Sequence, residues 1–285
     1  MEKDLFTTIK EQTPALSKGH KLIAAYILEH YDKAAFMTAQ KLGQTVGVSE
    51  STVVRFASML GFDGYPALQR SLQELMRNRL TAVQRIEGTN DRLSGEDILK
   101  QVLTRDIEKI RLTLEETSKT DFSNAVSAIE RCNTIYILGA RSAEPLAKFL
   151  NYYFSLMFPH VKQLRNTTTS ELFEQLMRID DKDVIIGISF PRYSRQTAQM
   201  LEYAKAHGAH VIAVTDSEAS PLAPFANDLL IARSDMNSFA DSLVAPLSLI
   251  NALIAAVSIS NTEKVRKSFE KLEKIWEEYE VYSNK

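Results

Sequence analysis

Residues 184–215 read VIIGISFPRYSRQTAQMLEYAKAHGAHVIAVT: an apolar β-branched run, a hydroxyl-rich loop, an amphipathic segment and a second apolar run. Uninterrupted apolar runs that alternate with amphipathic segments are typical of parallel strands that are covered on both faces by helices. The stretch therefore predicts a strand, a crossover helix and a parallel neighbouring strand.

The same alternation extends over most of the C-terminal part of the chain. Five strands are predicted, at residues 134–138, 161–164, 184–189, 210–215 and 228–232. Helices or helical turns are predicted at residues 96–115, 121–131, 142–157, 169–178, 194–207, 218–226, 239–258 and 261–281. This pattern indicates an α/β domain in which a five-stranded parallel sheet lies between two helical layers, an αβα sandwich.

The first 80 residues show only the 3.6-residue apolar period of helices and are predicted to be all-α. Residues 81–95 lose this period and collect Gly, Asn, Asp and Ser, which predicts a linker. The sequence is thus divided into an all-α domain at 1–80, a linker at 81–95 and an α/β domain at 96–285.

The composition excludes several classes of protein. With 45% hydrophobic and 25% charged residues, and no apolar run of about 18 residues, neither a transmembrane nor a disordered chain is expected. The N-terminus lacks the apolar region of a secretory signal, so we expect a cytoplasmic protein. The single cysteine, Cys132, excludes an intrachain disulfide and a multi-cysteine zinc site, and no metal or cofactor is expected. The net charge is +3 for residues 1–85 and −5 for residues 86–285, which is compatible with DNA binding but does not establish it.

Residues 38–62, TAQKLGQTVGVSESTVVRFASMLGF, have the spacing of a helix-turn-helix. Gly47 suits the left-handed end of the first helix, and Ser49 is expected to cap the second by accepting a hydrogen bond from the amide of Thr52. The apolar face of the second helix is predicted to consist of Val53, Phe56, Ala57 and Leu60, and its polar face of Ser51, Thr52, Arg55 and Ser58.

The polar face of this second helix suits the major groove of DNA. Small hydroxyls permit a close approach, and Arg55 is long enough to contact a guanine edge or a phosphate. Lys41 is a candidate for a further phosphate contact. An ordinary α-helical hairpin with a polar outer face is the alternative.

Two loops of the α/β domain contain side chains that bind anions. GARS at 139–142 follows the first predicted strand and SFPRYSRQT at 189–197 follows the third, and each leads into a helix whose free amides favour negative charge. Ligands of open α/β sheets bind at the carboxyl ends of strands where the topology switches, which is where we expect these loops to meet. Serine and threonine are also ordinary N-caps, so a single such loop is weak evidence.

The run VSESTVVRFASMLGFDGYPALQ at 48–69 closely resembles the helix-turn-helix of RpiR/MurR-type bacterial transcriptional regulators, a resemblance that extends over about residues 5–80. It implies a dimeric regulator that reads an inverted repeat in double-stranded DNA, with contacts from Ser49, Ser51, Thr52 and Arg55. Gly43 departs from the alanine usual in the family, and glycine weakens a helix by up to about 1 kcal/mol.

The strand pattern and the two loops resemble the sugar isomerase (SIS) domain that follows the helix-turn-helix in these regulators, over about residues 120–260. This resemblance implies that a phosphosugar or related anion is held by the side chains of Ser189, Ser194 and Thr197, with Arg141 and Ser142 from the first loop. The first loop departs from the common Gly-x-Gly-x-Ser and the second from Ser-x-Ser-Gly. Arg141 and Arg192 are therefore expected to bind the anion as bidentate forks and to leave less room for it.

A SIS-type isomerase with an accessory helical domain is one alternative to a regulator, and a scaffold that only assembles subunits is another. Isomerisation requires a positioned base, for which the candidates are Glu144, His207, His210, Asp216 and Asp241. Each of them also has a structural interpretation, such as a capping acid for Asp241, and we expect no catalysis.

Residues 239–259 are apolar nearly all round. We predict that they are buried partly against a second subunit of a homodimer or tetramer, with burial inside their own domain as the alternative.

Overall fold

The structure of the protein is a computed structural model that describes residues 5–35, 37–79, 97–165, 168–234 and 240–282. The chain forms two compact units, Met1–Val83 and Gln84–Lys285. The linker predicted at 81–95 lies outside the described residues, and each unit is described by itself.

The described part of the N-terminal unit is all-α, as predicted. Its helices are α1 (Leu5–Gln12), α2 (Lys18–Glu29), α3 (Tyr31–Ala34), α4 (Ala39–Val46), α5 (Glu50–Met59) and α6 (Gly64–Arg79), with a 3-10 turn at Thr13–Ala15. Apolar side chains from α2, α4, α5 and α6 form the core, and the fully buried ones include Ile23, Ile27, Leu42, Phe56 and Leu68.

Tyr65 connects α6 to the segment that precedes α4. Its hydroxyl donates to the carbonyl oxygen of Met37 at 2.8 Å, and Gln69 Nε2 donates to the same oxygen at 2.9 Å. Burial raises the pKa of Tyr65 to about 12, so its hydroxyl stays protonated and remains a donor. These bonds hold the chain in place where it enters α4.

The C-terminal unit contains the predicted five-stranded parallel sheet. Its strands are β1 (Ile135–Gly139), β2 (Val161–Gln163), β3 (Val184–Ile188), β4 (His210–Thr215) and β5 (Asp228–Ile231), and their order in the sheet is β2-β1-β3-β4-β5. The chain moves outward from β1 to β2 on one side and from β3 to β5 on the other. The topology therefore switches between β1 and β3.

Helices cover both faces of this sheet, which confirms the αβα sandwich. They are α7 (Ile98–Glu116), α8 (Lys119–Arg131), α9 (Glu144–Met157), α10 (Thr169–Leu176), α11 (Arg195–Ala206), α12 (Val244–Ser260) and α13 (Thr262–Glu278). Apolar residues of α8, α9 and α12 pack on one face and those of α10 and α11 on the other. The segment predicted as helix at 218–226 contains a 3-10 turn, Ala223–Phe225.

α12 begins at Val244, later than the predicted residue 239, and residues 235–239 lie outside the described part of the chain. Its buried side chains include Leu249, Ile250 and Leu253, which belong to the core of its own unit. Among the described helices, none is by itself long and apolar enough to cross a membrane. α12 and Val265–Glu278 of α13 reach that length and apolarity only when they are taken together, and a bend of 101° separates them.

α7 turns a polar side toward its unit and an apolar side outward, the opposite of the usual orientation of an amphipathic helix. The residues that it buries are polar, Lys109 and Thr113. Its outer face carries an apolar row, here called the α7 stripe, whose side chains are 40–78% exposed: Leu99, Leu103, Ile107, Ile110 and Leu114. Amphipathic helices normally turn their apolar side inward, so the exposure of this apolar row to solvent is unusual.

Candidate functional site

The turn of the helix-turn-helix forms as the sequence predicts. α4 ends at Gly47, which has a left-handed backbone with φ 76°. Ser49 is the N-cap of α5, and its Oγ accepts a hydrogen bond from the amide of Thr52 at 3.3 Å. The two helices are therefore joined by a short turn whose backbone is fixed by local bonds.

Gly43 allows α4 to lie close to this turn. A Cβ atom built on Gly43 lies 2.8 Å from the carbonyl oxygen of Val48, closer than real Cβ atoms approach backbone. The same region contains a hydrogen bond of 2.9 Å from the amide of Val48 to the carbonyl oxygen of Gly43. Gly43, where the family usually has alanine, thus lies at a point where α4 packs closely on the turn.

Replacing Gly43 by valine is expected to lower the thermal midpoint of the N-terminal unit, because the added atoms push the turn away at a cost of about 1–3 kcal/mol. The measurement is a circular dichroism melt. Gln44→Val is the matched control, because Gln44 is an exposed neighbour on the same helix. Equal midpoints for the two variants would contradict the close approach.

The two faces of α5 largely agree with the prediction. Val53, Phe56 and Ala57 are buried, whereas Ser51, Arg55 and Ser58 are exposed. Two residues differ from the prediction. Leu60, predicted on the buried face, is only half-buried, and Thr52, predicted on the exposed face, is also half-buried. The hydroxyl of Thr52 lies 2.8 Å from that of Ser49, so the two form one hydroxyl pair at the start of the helix.

The structure adds Val54, 38% exposed, to the outer face of α5. Sequence reasoning passed over it because it is apolar, although its spacing of three from Ser51 and four from Ser58 puts it on the same face. Arg55 Nε donates to the carbonyl oxygen of Ser51 at 3.3 Å, which lays the arginine along this face. Lys41 is exposed on α4.

In the C-terminal unit, the loops that follow β1 and β3 enclose a cavity of about 170 Å³, here called the switch-point cavity. Five of the six predicted ligand residues line it: Arg141, Ser142, Ser189, Arg192 and Ser194. Asp241 lines it as well, from the segment that precedes α12. Two arginines and three serines thus line one cavity where the sheet topology switches.

Hydrogen bonds hold the second loop over the cavity. Ser189 Oγ accepts from the amide of Ser194 at 3.0 Å, and Ser194 Oγ accepts from the amide of Thr197 at 3.2 Å. Tyr193 donates its hydroxyl to Asp216 Oδ1, at the end of β4, at 2.7 Å. Both serine hydroxyls accept a hydrogen bond from a backbone amide, which leaves the proton of each hydroxyl available for donation.

Thr197, the sixth predicted ligand residue, is fully buried one turn into α11 and is not among the residues that line the cavity. Its hydroxyl has no hydrogen-bond partner among the described residues. The resemblance to the SIS domain implies Thr197 as a ligand residue, and the order of hydroxyls along the loop does not reveal which of them point inward.

Both arginines of the cavity have left-handed backbones, with φ 57° at Arg141 and φ 61° at Arg192. This conformation favours glycine and costs other residues of order 1–2 kcal/mol. Arg141 stands where the common first-loop pattern has its second glycine. The left-handed backbone that suits a glycine is therefore kept at this position, but the residue carries a charged side chain. Residues held in such conformations cluster at ligand sites.

Of the five candidate bases, only Asp241 lines the cavity. Glu144 pairs with Lys148 at 2.7 Å, His207 Nδ1 lies 2.8 Å from the carbonyl oxygen of Tyr203, and Asp216 holds Tyr193. The interpretation of Asp241 as a first-turn capping acid is wrong, because α12 starts three residues later and Leu243 is its N-cap position.

His210 and Cys132 lie at the opposite, amino-terminal edge of the sheet. His210 Nε2 lies 2.6 Å from Oδ2 of the buried Asp228, and both residues line a separate pocket of about 440 Å³. Cys132 lines the same pocket, and burial, with a contribution from Asp183, raises the pKa of its thiol to about 11. The thiol is therefore protonated and is a poor nucleophile near neutral pH.

Two family models match separate parts of the chain. Residues 3–79 match the model of the helix-turn-helix domain of the rpiR family, and residues 128–256 match that of the SIS domain. The chain is 24% identical to the HTH-type transcriptional regulator YfhH of Escherichia coli, over 73% of either protein.

Two solved structures are similar in fold. The sugar isomerase domain of an RpiR transcription factor from Sphaerobacter thermophilus is 27% identical, with a TM-score of 0.60 over 63% of this chain and 99% of that one. The NanR protein of Vibrio vulnificus, solved in complex with ManNAc-6P, is 17% identical, with a TM-score of 0.58 over 98% of this chain and 100% of that one.

Proposed function

The chain belongs to the RpiR-type transcriptional regulators, in which a helix-turn-helix domain is followed by a SIS domain, and from this premise we propose that a small anion in the switch-point cavity controls its binding to a DNA operator. The anion is a phosphosugar or a related metabolite. The observation that carries the proposal is that two arginines and three serines line one cavity of a chain that also has an exposed, largely polar face on the second helix of a helix-turn-helix. A regulator of this kind works in the cytoplasm, where the chromosome is.

The outer face of α5 reads the DNA. Arg55 is the side chain that forms a fork with a guanine edge, and the methyl groups of Val54 fit the methyl group of thymine. At the start of α5, the hydroxyls of Ser51 and Thr52 lie 2.9 and 2.8 Å from that of Ser49, and the three meet phosphate or base edges. Lys41 adds a phosphate contact from α4.

The switch-point cavity holds the anion. Arg141 and Arg192 supply positive charge from two separate loops, and Ser142, Ser189 and Ser194 supply hydroxyl donors. Thr197 contributes indirectly, since its amide holds Ser194 in place. The complex of NanR with ManNAc-6P supports a sugar phosphate as the class of ligand.

We infer that binding proceeds without turnover. An isomerase needs a base placed beside the carbon from which the proton is removed. Four of the five candidates are engaged elsewhere, and only Asp241 lines the cavity. A regulator needs only a different affinity for the ligand in its DNA-bound and free states. An assay of aldose phosphate isomerisation separates the two, because measurable turnover would favour the enzyme.

We propose the α7 stripe as the surface on which a second copy of the chain docks; the contact predicted for residues 239–259 stays a prediction. Its residues follow one another at spacings of four, four, three and four, the seam of two packed helices. α7 carries Lys100 near its start and Glu115 near its end, so an antiparallel pair places opposite charges side by side. A twofold pair also supplies the two reading heads that an inverted repeat requires.

Replacing Ile107 by aspartate is expected to convert the dimer to a monomer in sedimentation at micromolar concentration, because two buried carboxylates face each other across the seam. Ile259→Asp is the matched control: Ile259 is 74% exposed at the end of α12 and lies outside the stripe. If Ile259→Asp dissociates the dimer and Ile107→Asp does not, the interface lies at α12 and not at the α7 stripe. An unmodified chain that sediments as a monomer would contradict any dimer.

The test of the proposed function is retention of genomic DNA fragments by the full chain at low salt, followed by their release with sugar phosphates. Specific fragments retained by the unmodified chain and lost with Arg55→Ala would support a regulator that reads DNA through α5. Equal retention of all fragments would contradict it.

A further inference from the structure

The first turn of α2 packs beside the start of α5. A Cβ atom built on Gly19 lies 3.4 Å from Cγ2 of Thr52 and 3.5 Å from Cγ1 of Val48, which are ordinary contact distances. The ring of His20 meets the ring of Phe56 edge to face, with 5.6 Å between the ring centroids. Two consecutive residues of α2 therefore lie next to α5 and to the turn that precedes it.

These contacts show along which edge of α5 the first turn of α2 lies. Thr52 and Phe56 are four residues apart and belong to one row on the surface of α5. The exposed Arg55 is three residues from Thr52, about 60° around the helix, and so borders the same row. The first turn of α2 thus lies at the edge of α5 that adjoins Arg55, beside the face that is proposed to enter the groove.

The exposed charges on this part of α2 are basic. Lys18 and Lys21 stand on either side of the pair Gly19 and His20, and both are exposed. A spacing of three residues makes them neighbours on the helix surface. Neither lysine forms an ion pair or a side-chain hydrogen bond with any side chain that the structure describes.

Few acids stand close to these lysines along the chain. α2 and α4 together carry three lysines and one acid, Glu29, which is the last residue of α2. On α5, the acid Glu50 is matched by Arg55. An unpaired lysine keeps its whole charge for an external anion, and its flexible stem extends beyond the helix surface. This edge of the unit therefore suits a polyanion that passes beside α5.

We propose that Lys18 and Lys21 bind phosphates of the DNA backbone beside the groove that α5 enters. An ammonium group on a flexible stem binds a phosphate as a point charge and carries no information about the bases. The contact therefore raises the affinity for all DNA alike and orients α5 in the groove. The inference rests on the proposed DNA-reading role of α5 and adds a second contact surface, on α2, outside the helix-turn-helix.

The first test is the salt dependence of DNA binding by the full chain, measured by fluorescence anisotropy with a retained genomic fragment and with an unrelated duplex. Lys18→Gln with Lys21→Gln is expected to lower the slope of log affinity against log salt by about two for both DNAs, because each phosphate contact contributes about 0.9. The ratio of the two affinities should not change. A circular dichroism melt checks that the double variant is folded.

Lys10→Gln with Lys33→Gln is the matched control, because these exposed lysines of α1 and α3 remove the same charge from the same unit. Its slope should stay close to that of the unmodified chain. An unchanged slope in the variant of Lys18 and Lys21, or an equal loss in the control, would overturn the proposal. A changed ratio of the two affinities would overturn it as well, since the lysines would then contact bases.

The second test locates the contact on the DNA by ethylation of single phosphates of the retained fragment, which removes their charge. Ethylation of at least one phosphate beside each half-site is expected to weaken binding by the unmodified chain but not by Lys18→Gln with Lys21→Gln. The same pattern of interference with both proteins would overturn the proposal.

The two proposals fail in distinguishable ways. If the unmodified chain retains no specific DNA fragment, the DNA-reading role of α5 is wrong and both proposals fall. If specific fragments are retained and are lost with Arg55→Ala, but the variant of Lys18 and Lys21 binds like the unmodified chain, the proposed function stands and only this inference is overturned.

Discussion

Replacing Arg55 by alanine is expected to weaken specific operator binding by about 1–3 kcal/mol, which is about 5- to 150-fold, through the loss of one bidentate contact to a base. The fold should not change, because Arg55 is exposed and, among the described residues, its side chain forms a single hydrogen bond, of 3.3 Å to the carbonyl oxygen of Ser51. Fluorescence anisotropy with the operator measures the loss, and circular dichroism checks the fold.

Arg55→Lys separates a base contact from a phosphate contact. Lysine keeps the positive charge but lacks the planar fork, so it should restore the salt dependence of binding without restoring the preference for the operator. If Arg55→Ala binds the operator as tightly as the unmodified chain, α5 does not lie in the groove as proposed.

Replacing Ser189 and Ser194 together by alanine is expected to abolish the response of operator binding to the effector while operator binding itself persists. Each hydroxyl oxygen accepts a hydrogen bond from a backbone amide, and in the proposed complex each hydroxyl donates its proton to a ligand oxygen. A hydrogen bond to a charged group contributes about 1.5–3 kcal/mol. Two such losses remove most of the affinity of a small ligand. Operator release in the presence of sugar phosphates is the measurement.

The control for this double variant must account for the cap of α11, because the Ser194 hydroxyl also caps that helix. Thr168→Ala removes the equivalent cap from α10, where Thr168 forms a capping box with Glu171 outside the cavity. Loss of the response in Thr168→Ala as well would show that helix capping, and not ligand contact, explains the result. A double variant that still responds would place the anion elsewhere.

Features that depend on neighbouring residues could be predicted from the sequence. The turn between α4 and α5 is one, because the left-handed backbone of Gly47 and the cap by Ser49 are set within a few residues. The strands are another, because continuous apolar runs between amphipathic helices occur in few architectures. The meeting of the β1 and β3 loops then follows from the topology of a parallel sheet.

Features that depend on distant contacts could not be predicted. The segment before α12 is held by the bond from Ser242 to Asp106 on α7, so the true start of α12 and the place of Asp241 in the cavity wall have no local signal. The 3.6-residue period identifies α7 as a helix, but only the packed structure shows that Lys109 faces inward and Ile107 outward. The resemblance to the SIS domain implies a ligand contact for Thr197, and only the packed structure shows that this side chain is fully buried.

The measurement that tests the central claim most directly is the affinity of the full unmodified chain for its operator, by anisotropy, with and without a panel of sugar phosphates and acidic metabolites. We predict that at least one phosphorylated sugar shifts this affinity by about 5- to 150-fold, the range of ordinary allosteric coupling, and that Arg141→Ala with Arg192→Ala removes the shift. An operator affinity that is the same with every anion of the panel would contradict the account.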